Sequence, residues 1–248
     1  MFFFFNSSNI SVDAVLNVNM ENEASFFIIG ASNASKIGNS FHVPVFYIPH
    51  WGQTQVKQLV KKLHRTNWSK MPTTCILFSP TNSLIKTFSW KDHEDLNDTK
   101  TQIITHLHQP QPNIRRTNNF REEERALKYI KDTLDIYNVR IVLMPHLMRN
   151  IVPICECKTA FCFYAINQRH LFMNFESRIE KLFPTIKVVK HQRFIKDMYI
   201  PILQEVAPRG TVTCRYHVKF YKLFLIQDGV HINPMYFEYV YQYLFTIL

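Results

Sequence analysis

The chain has 248 residues, 46% of them hydrophobic and 19% charged, which is enough apolar side chain to fill one large α/β domain and excludes a disordered chain. No window approaches the roughly 18 uncharged apolar residues of a membrane span, and "MFFFF" is too short and too soon polar for a signal-peptide core, so a soluble, intracellular and cytoplasmic protein is expected. A formal net charge of +10 suits an anionic partner without choosing among nucleic acid, anionic lipid and anionic substrate.

Residues 1–24 are Asn-rich and lack a sustained period, so they read as an irregular lead-in ahead of a single domain over 25–248. From there an alternation sets in. "ASFFIIG" predicts a buried strand, with a short helix through Ile37 and Phe41 after it, and "VPVFYIP" predicts a second strand. "QTQVKQLVKKLHR" places Val56, Leu59, Val60 and Leu63 at i, i+3, i+4 and i+7 with lysines opposite, the pattern of an amphipathic helix. "TTCILFSP" is a third apolar run. The polar segment 90–119 reads as a loop with at most one short helix. "REEERALKYIKDTLDIY" has acidic residues in its first turn and a stripe of Leu127, Ile130, Leu134 and Tyr137, hence a helix from Arg121. "VRIVLMP" is a fourth strand, followed by an irregular segment carrying Cys155, Cys157 and Cys162. "NQRHLFMNFESRIEKLF" predicts a helix and "TIKVVKH" a fifth strand. The segment 193–226 shows no pattern that assigns it, and "INPMYFEYVYQYLFTIL" predicts a closing helix.

Strands that alternate with helices need crossover connections, hence a mostly parallel sheet covered on both faces. Ligands of such sheets bind beyond the carboxyl ends of the strands. Those positions carry "GASN", "PHWGQT" and "SPTNSL", while "DGVHIN" precedes the last helix. Three of the chain's five glycines, Gly30, Gly52 and Gly229, fall in these four places.

Each place has a chemical task. Ser32, at a strand-to-helix turn, presents a hydroxyl beside the free N–H groups of a helix start, which are donors for an oxyanion. A serine nucleophile needs a base; His231 supplies one, with Asp228 three residues earlier to orient the ring. Gly52 can bring a bare backbone N–H to the same oxygen, and Asn82 can add a side-chain amide.

This ordered set resembles the SGNH hydrolases, the GDSL-like esterase/lipase superfamily. "GASN" resembles their first block, with Ser32 as nucleophile. "PHWGQTQVKQLVKKL" resembles the second, with Gly52 in the oxyanion position, and "CILFSPTNSL" the third, with Asn82. "DGVHIN" resembles the closing Asp-x-x-His block, giving Asp228 and His231. Ala31 stands where the first block usually has Asp, Pro80 where the third has Gly, and Ser83 where an Asp often follows. The resemblance implies a flavodoxin-like, three-layer α/β/α sandwich with a five-stranded sheet. It also implies a serine esterase or acylhydrolase that cleaves a small-molecule, carbohydrate or lipid ester through an oxyanion hole of Ser32, Gly52 and Asn82, with no cofactor and no metal. The alternative from the same resemblance is a non-catalytic module binding RNA through the basic clusters Lys57, Lys61, Lys62, Arg65 and Lys187, Lys190, Arg193, Lys196.

The remaining features have plainer readings. Cys155, Cys157 and Cys162 lie in apolar surroundings with no fourth ligand in evidence, so buried thiols are expected rather than a metal site. The sequon Asn33-Ala34-Ser35 adjoins Ser32, where a glycan would block the hydroxyl, which again favours an intracellular setting.

Overall fold

The computed structural model describes residues 25–78, 113–147, 158–203, 220–226 and 229–248. Five strands, β1 (Phe27–Gly30), β2 (Val45–Tyr47), β3 (Thr74–Phe78), β4 (Arg140–Met144) and β5 (Lys187–Val188), form one sheet in the order β2-β1-β3-β4-β5. Every pairing is parallel, and the register aligns Phe46, Ile29, Leu77, Leu143 and Val188 in one row across the sheet. This is the flavodoxin-like strand order. All residues of β1 and β3 are buried, as a central strand covered on both faces requires, which is why each reads as an unbroken apolar run.

The helices are α1 (Ser32–Ser40), α2 (Gln53–Arg65), α3 (Asn113–Asp135), α4 (Lys158–Leu182), α5 (His191–Leu203) and α6 (Phe237–Thr246). The connection from β1 to β2 travels one way along the sheet, and those from β2 to β3, β3 to β4 and β4 to β5 travel the other. Right-handed crossovers therefore put α1 on one face and α2, α3 and α4 on the opposite face. The packing agrees: α2 lies against α3, and α6 lies against α1 and α5. The result is the three-layer α/β/α arrangement, with its direction of winding reversed between β1 and β3.

α2 buries Val56, Leu59 and Leu63, the stripe read from its spacing. Gly30 is glycine for want of room: a Cβ there would stand 2.6 Å from Ala34 Cβ and 2.8 Å from Phe78 Cβ, so α1 and β3 close on β1 through this position.

Several boundaries differ from expectation. α3 starts at Asn113 rather than Arg121, because a nucleated helix propagates backward through a segment of modest propensity. α4 starts at Lys158, so Cys162 belongs to a helix and not to an irregular segment. α5 was not assigned from the sequence, although its buried His191, Phe194, Ile195 and Met198 fall at i, i+3, i+4 and i+7; Pro201 lies near its end. β5 has only two residues, and the closing helix starts at Phe237 after a 3-10 turn at Pro234–Tyr236, which the Asn233 side chain caps by accepting from the Met235 N–H at 3.2 Å. The lead-in 1–24 and the pair Cys155 and Cys157 lie outside the described residues. No helix among the described residues is long and apolar enough to cross a membrane.

Candidate active site

The crevice of an α/β sheet lies where its winding reverses, beyond the carboxyl ends of the strands. Here that place is the exit of β1, next to β3. The residue after β1, Ala31, is the N-cap of α1 and makes no side-chain capping bond. Ser32 is thus the first helical residue and not the cap, so its hydroxyl is not spent on the helix's own N–H groups. It lies 2.8 Å from His231 Nε2 instead, a contact between half-buried side chains 199 residues apart in sequence. The opening turn of any helix leaves backbone N–H groups without intrahelical partners, and those of α1 begin at Ser32 itself.

His231 is carried on a tight turn that leads into the last helix. Leu225 and Ile232 form an antiparallel bridge, the Ile226 N–H donates to the His231 carbonyl at 2.9 Å, and the Asn233 N–H donates to the Phe224 carbonyl at 2.8 Å. At the tip the Gly229 N–H closes on the Ile226 carbonyl at 2.9 Å, with φ of 66° at Gly229. That left-handed conformation favours glycine, so the Gly of "DGVH" has a local geometric cause.

The Asn33 side chain touches both peptide groups beside His231. Its Nδ2 donates to the Val230 carbonyl at 3.2 Å, and its Oδ1 accepts from the Ile232 N–H at 3.0 Å.

Gly52 is the N-cap of α2, reached from the β2 exit, where the Ile48 N–H donates to the Gly30 carbonyl at 2.9 Å and keeps the two exits side by side. Its N–H donates to His50 Nδ1 at 3.1 Å, an exposed bond within its own loop. Among the sequence-predicted residues, then, Ser32 and His231 meet, and Gly52 stands on the same edge of the sheet with its N–H engaged. Asn82 and Asp228 lie outside the described residues.

No family model matches the sequence, and no curated protein matches it. A solved structure from Bacteroides fragilis NCTC 9343, described as "a putative acylhydrolase", is similar over 90% of this chain and 85% of its own, with 10% sequence identity and a TM-score of 0.40.

Behind Gly52 lies a polar cluster that the sequence barely announces. The Trp51 indole donates to Glu123 Oε1 at 3.1 Å, and His146 Nε2 lies 2.9 Å from the same oxygen. All three side chains are buried, and the His146 ring stacks on Phe172 with centroids 5.3 Å apart. Trp51 follows β2, His146 follows β4 and Glu123 is on α3, so the cluster ties two strand exits to one helix. A histidine two residues past an apolar strand, as in "LMPH", is the only signal the sequence offered for it.

A second buried group lies under α5. The His191 N–H donates to Glu176 Oε1 at 2.7 Å, and His191 Nε2 lies 2.9 Å from the Tyr221 hydroxyl. Burial pushes the Glu176 carboxyl up to about 7, against the opposing pull of the His191 N–H and the Lys190 charge. Burial likewise raises the Cys75 thiol well above its ordinary value, so this residue of β3 is an unreactive core thiol.

The two basic clusters differ in their surroundings. Lys57, Lys61, Lys62 and Arg65 are exposed along α2. In the second, Lys190 pairs with Glu180 and Arg193 with Asp197, so half of its cations have local counter-charges. Among the described residues, no group of His, Cys, Asp and Glu is placed to hold a metal ion.

Proposed function

We propose that the protein is a serine acylhydrolase of the SGNH type that cleaves a small-molecule, carbohydrate or lipid ester through Ser32. The observation that carries this reading is the 2.8 Å contact between Ser32 Oγ and His231 Nε2, formed at the point where the winding of the sheet reverses. With Nε2 unprotonated, the Ser32 hydroxyl donates to it, and the pair has the nucleophile-to-base spacing that acyl transfer requires.

In the first half-reaction Ser32 Oγ attacks the ester carbonyl carbon as its proton passes to His231 Nε2. The tetrahedral oxyanion is received by the N–H groups at the start of α1, joined by the Gly52 N–H and the Asn82 amide. His231 returns the proton to the departing alcohol as the C–O bond breaks, leaving an acyl-serine. Water then attacks the acyl carbon, giving its proton to His231, and His231 returns that proton to Ser32 Oγ as the acyl C–O bond breaks, so the acid leaves and both side chains are regenerated. Asp228 is assigned the role of holding the His231 ring and balancing its transient charge. This chemistry uses no cofactor. A helix start without an acidic residue in its first turn leaves the positive end of the α1 dipole for the oxyanion.

Ser32→Ala is expected to reduce hydrolysis of p-nitrophenyl acetate by about 10³-fold or more, as loss of a serine nucleophile does elsewhere. A fluorophosphonate should form one adduct, mapped to Ser32 by mass spectrometry. Equal rates for wild type and variant, with no adduct at Ser32, would refute the assignment.

A further inference from the structure

Neighbouring residues of one helical turn grip His231 from two sides. Ser32 meets its ring, while Asn33 bonds to the carbonyl of the residue before it and the N–H of the residue after it. A primary amide is the one small side chain that offers a donor and an acceptor in a fixed plane, so it pairs with a peptide strand much as another strand would. The two bonds span His231, and a third, from the Ile226 N–H to the His231 carbonyl at 2.9 Å, holds the same peptide from within the turn. The ring is thereby referred to the helix that carries the nucleophile and not merely to its own loop.

We infer that Asn33 is a positioning residue: it clamps the backbone of His231 to the first turn of α1 and so sets the distance between base and nucleophile. This rests on the reading of His231 as the base. The two Asn33 bonds come to this segment from another element, α1, whereas the bridge of Leu225 with Ile232 and the bond of Asn233 with Phe224 lie within the stretch of chain that carries His231. Loss of the Asn33 side chain removes two bonds between the His231 backbone and α1, and so lets the base shift relative to Ser32. A displacement of about 1 Å at a reacting group is worth on the order of 10²-fold in rate. Ser35 and Ala34, the other residues of the sequon, have no such task; the Asn33 Nδ2 that a glycan would take is held against Val230.

The test uses Asn33→Ala and the isosteric Asn33→Asp. Asn33→Ala is expected to lower kcat on p-nitrophenyl acetate by about 10²-fold with KM within about 3-fold, and to speed exchange of the Ile232 amide at least tenfold. Asn33→Asp keeps the acceptor for Ile232 and loses the donor to Val230, so Ile232 should stay protected while kcat falls about tenfold. The His231 ring Cε1–H signal should move in both variants, whereas a merely structural asparagine would lower thermal stability and leave that signal and kcat in place. Should Asn33→Ala fail to fold, Asn33→Asp decides alone: wild-type kcat with an unmoved His231 signal overturns the clamp. If wild type shows no Ser32-dependent hydrolysis, the acylhydrolase reading fails separately, and the Ile232 amide and His231 signal still decide the clamp.

Discussion

The Trp51 indole donates to Glu123 at 3.1 Å, a bond that joins the β2 exit to α3 with both side chains buried. His146 reaches the same oxygen from the β4 exit. A buried acceptor shared by two donors is costly to remove, since each orphaned group loses about 1–3 kcal/mol of hydration with nothing in return. Glu123→Ala is therefore expected to destabilise the protein by about 3 kcal/mol, and Glu123→Gln, which keeps an acceptor oxygen, by about 1 kcal/mol. Urea denaturation checks this, and an Ala variant within about 0.5 kcal/mol of wild type would show that the cluster is dispensable.

Gly30 and Gly52 make a contrasting pair. An added Cβ at Gly30 meets the Cβ atoms of Ala34 and Phe78, which cannot retreat without moving α1 or β3. At Gly52 it meets His50 ring atoms at 2.7 Å and Gln55 Oε1 at 2.9 Å, the far ends of side chains that can turn away. The backbone at Gly52, with φ of −62° and ψ of 146°, accepts any residue. Gly30→Ala should cost about 2 kcal/mol, by overpacking, and should lower Ser32-dependent hydrolysis because α1 carries Ser32 with it. Gly52→Ala should stay within about 0.5 kcal/mol of wild type by the same denaturation measurement. Equal stabilities for the two variants would contradict the packing argument.

These contrasts also say what a reader of the sequence can and cannot find. β1, β3 and α2 were legible because their burial has a period: both faces covered for the strands, one stripe for the helix. The meeting of Ser32 with His231 was legible because each follows closely on a glycine, Gly30 at the end of β1 and Gly229 at a turn. Asn33 and Glu123 were not, because a buried polar residue is defined by its partners, which lie 197 and 72 residues away for Val230 and Trp51. In α5 the buried His191, Phe194, Ile195 and Met198 keep helical spacing, but the stripe opens on a histidine that does not read as apolar and follows directly on the run "TIKVVKH". β5 was expected from "TIKVVKH" and is there, though only Lys187 and Val188 of that run form the strand.

Glu176 gives the protein a pH dependence with a definite sign. Its carboxyl titrates at about 7 in the folded chain against an ordinary 4.5, chiefly because burial disfavours the charged form. The folded state therefore holds a proton that the unfolded state has already released between those values, and its stability falls as pH rises through that window. The contribution is complete below pH 4.5 and lost above about 7, and the rise is worth about 3 kcal/mol at about 1.4 kcal/mol per decade. Lys190 and Glu180 face the same carboxyl with opposite effects. Glu176→Gln removes the titration, so the difference in unfolding free energy between variant and wild type should grow by about 3 kcal/mol from pH 4.5 to pH 8, in favour of the variant. Parallel pH profiles for the two proteins would place the carboxyl at its ordinary value.

The last prediction concerns the bond from the Gly52 N–H to His50 Nδ1, 3.1 Å long and exposed. Under the proposed mechanism this N–H must turn from the ring to the oxyanion as the carbonyl is attacked. The imidazole is then a competitor for the donor in the resting protein, and an exposed neutral hydrogen bond of this kind contributes about 0.5–1 kcal/mol. His50→Ala removes the competitor without touching the reacting atoms, so kcat/KM for p-nitrophenyl acetate should rise about two- to fivefold while the denaturation midpoint stays close to that of wild type. His50→Gln, which restores an acceptor on a flexible chain, should fall between the two. A loss of activity in His50→Ala would mean that the ring holds the Gly52 loop in its working shape, and Gly52 would then owe its donor geometry to His50 instead of being freed by its removal.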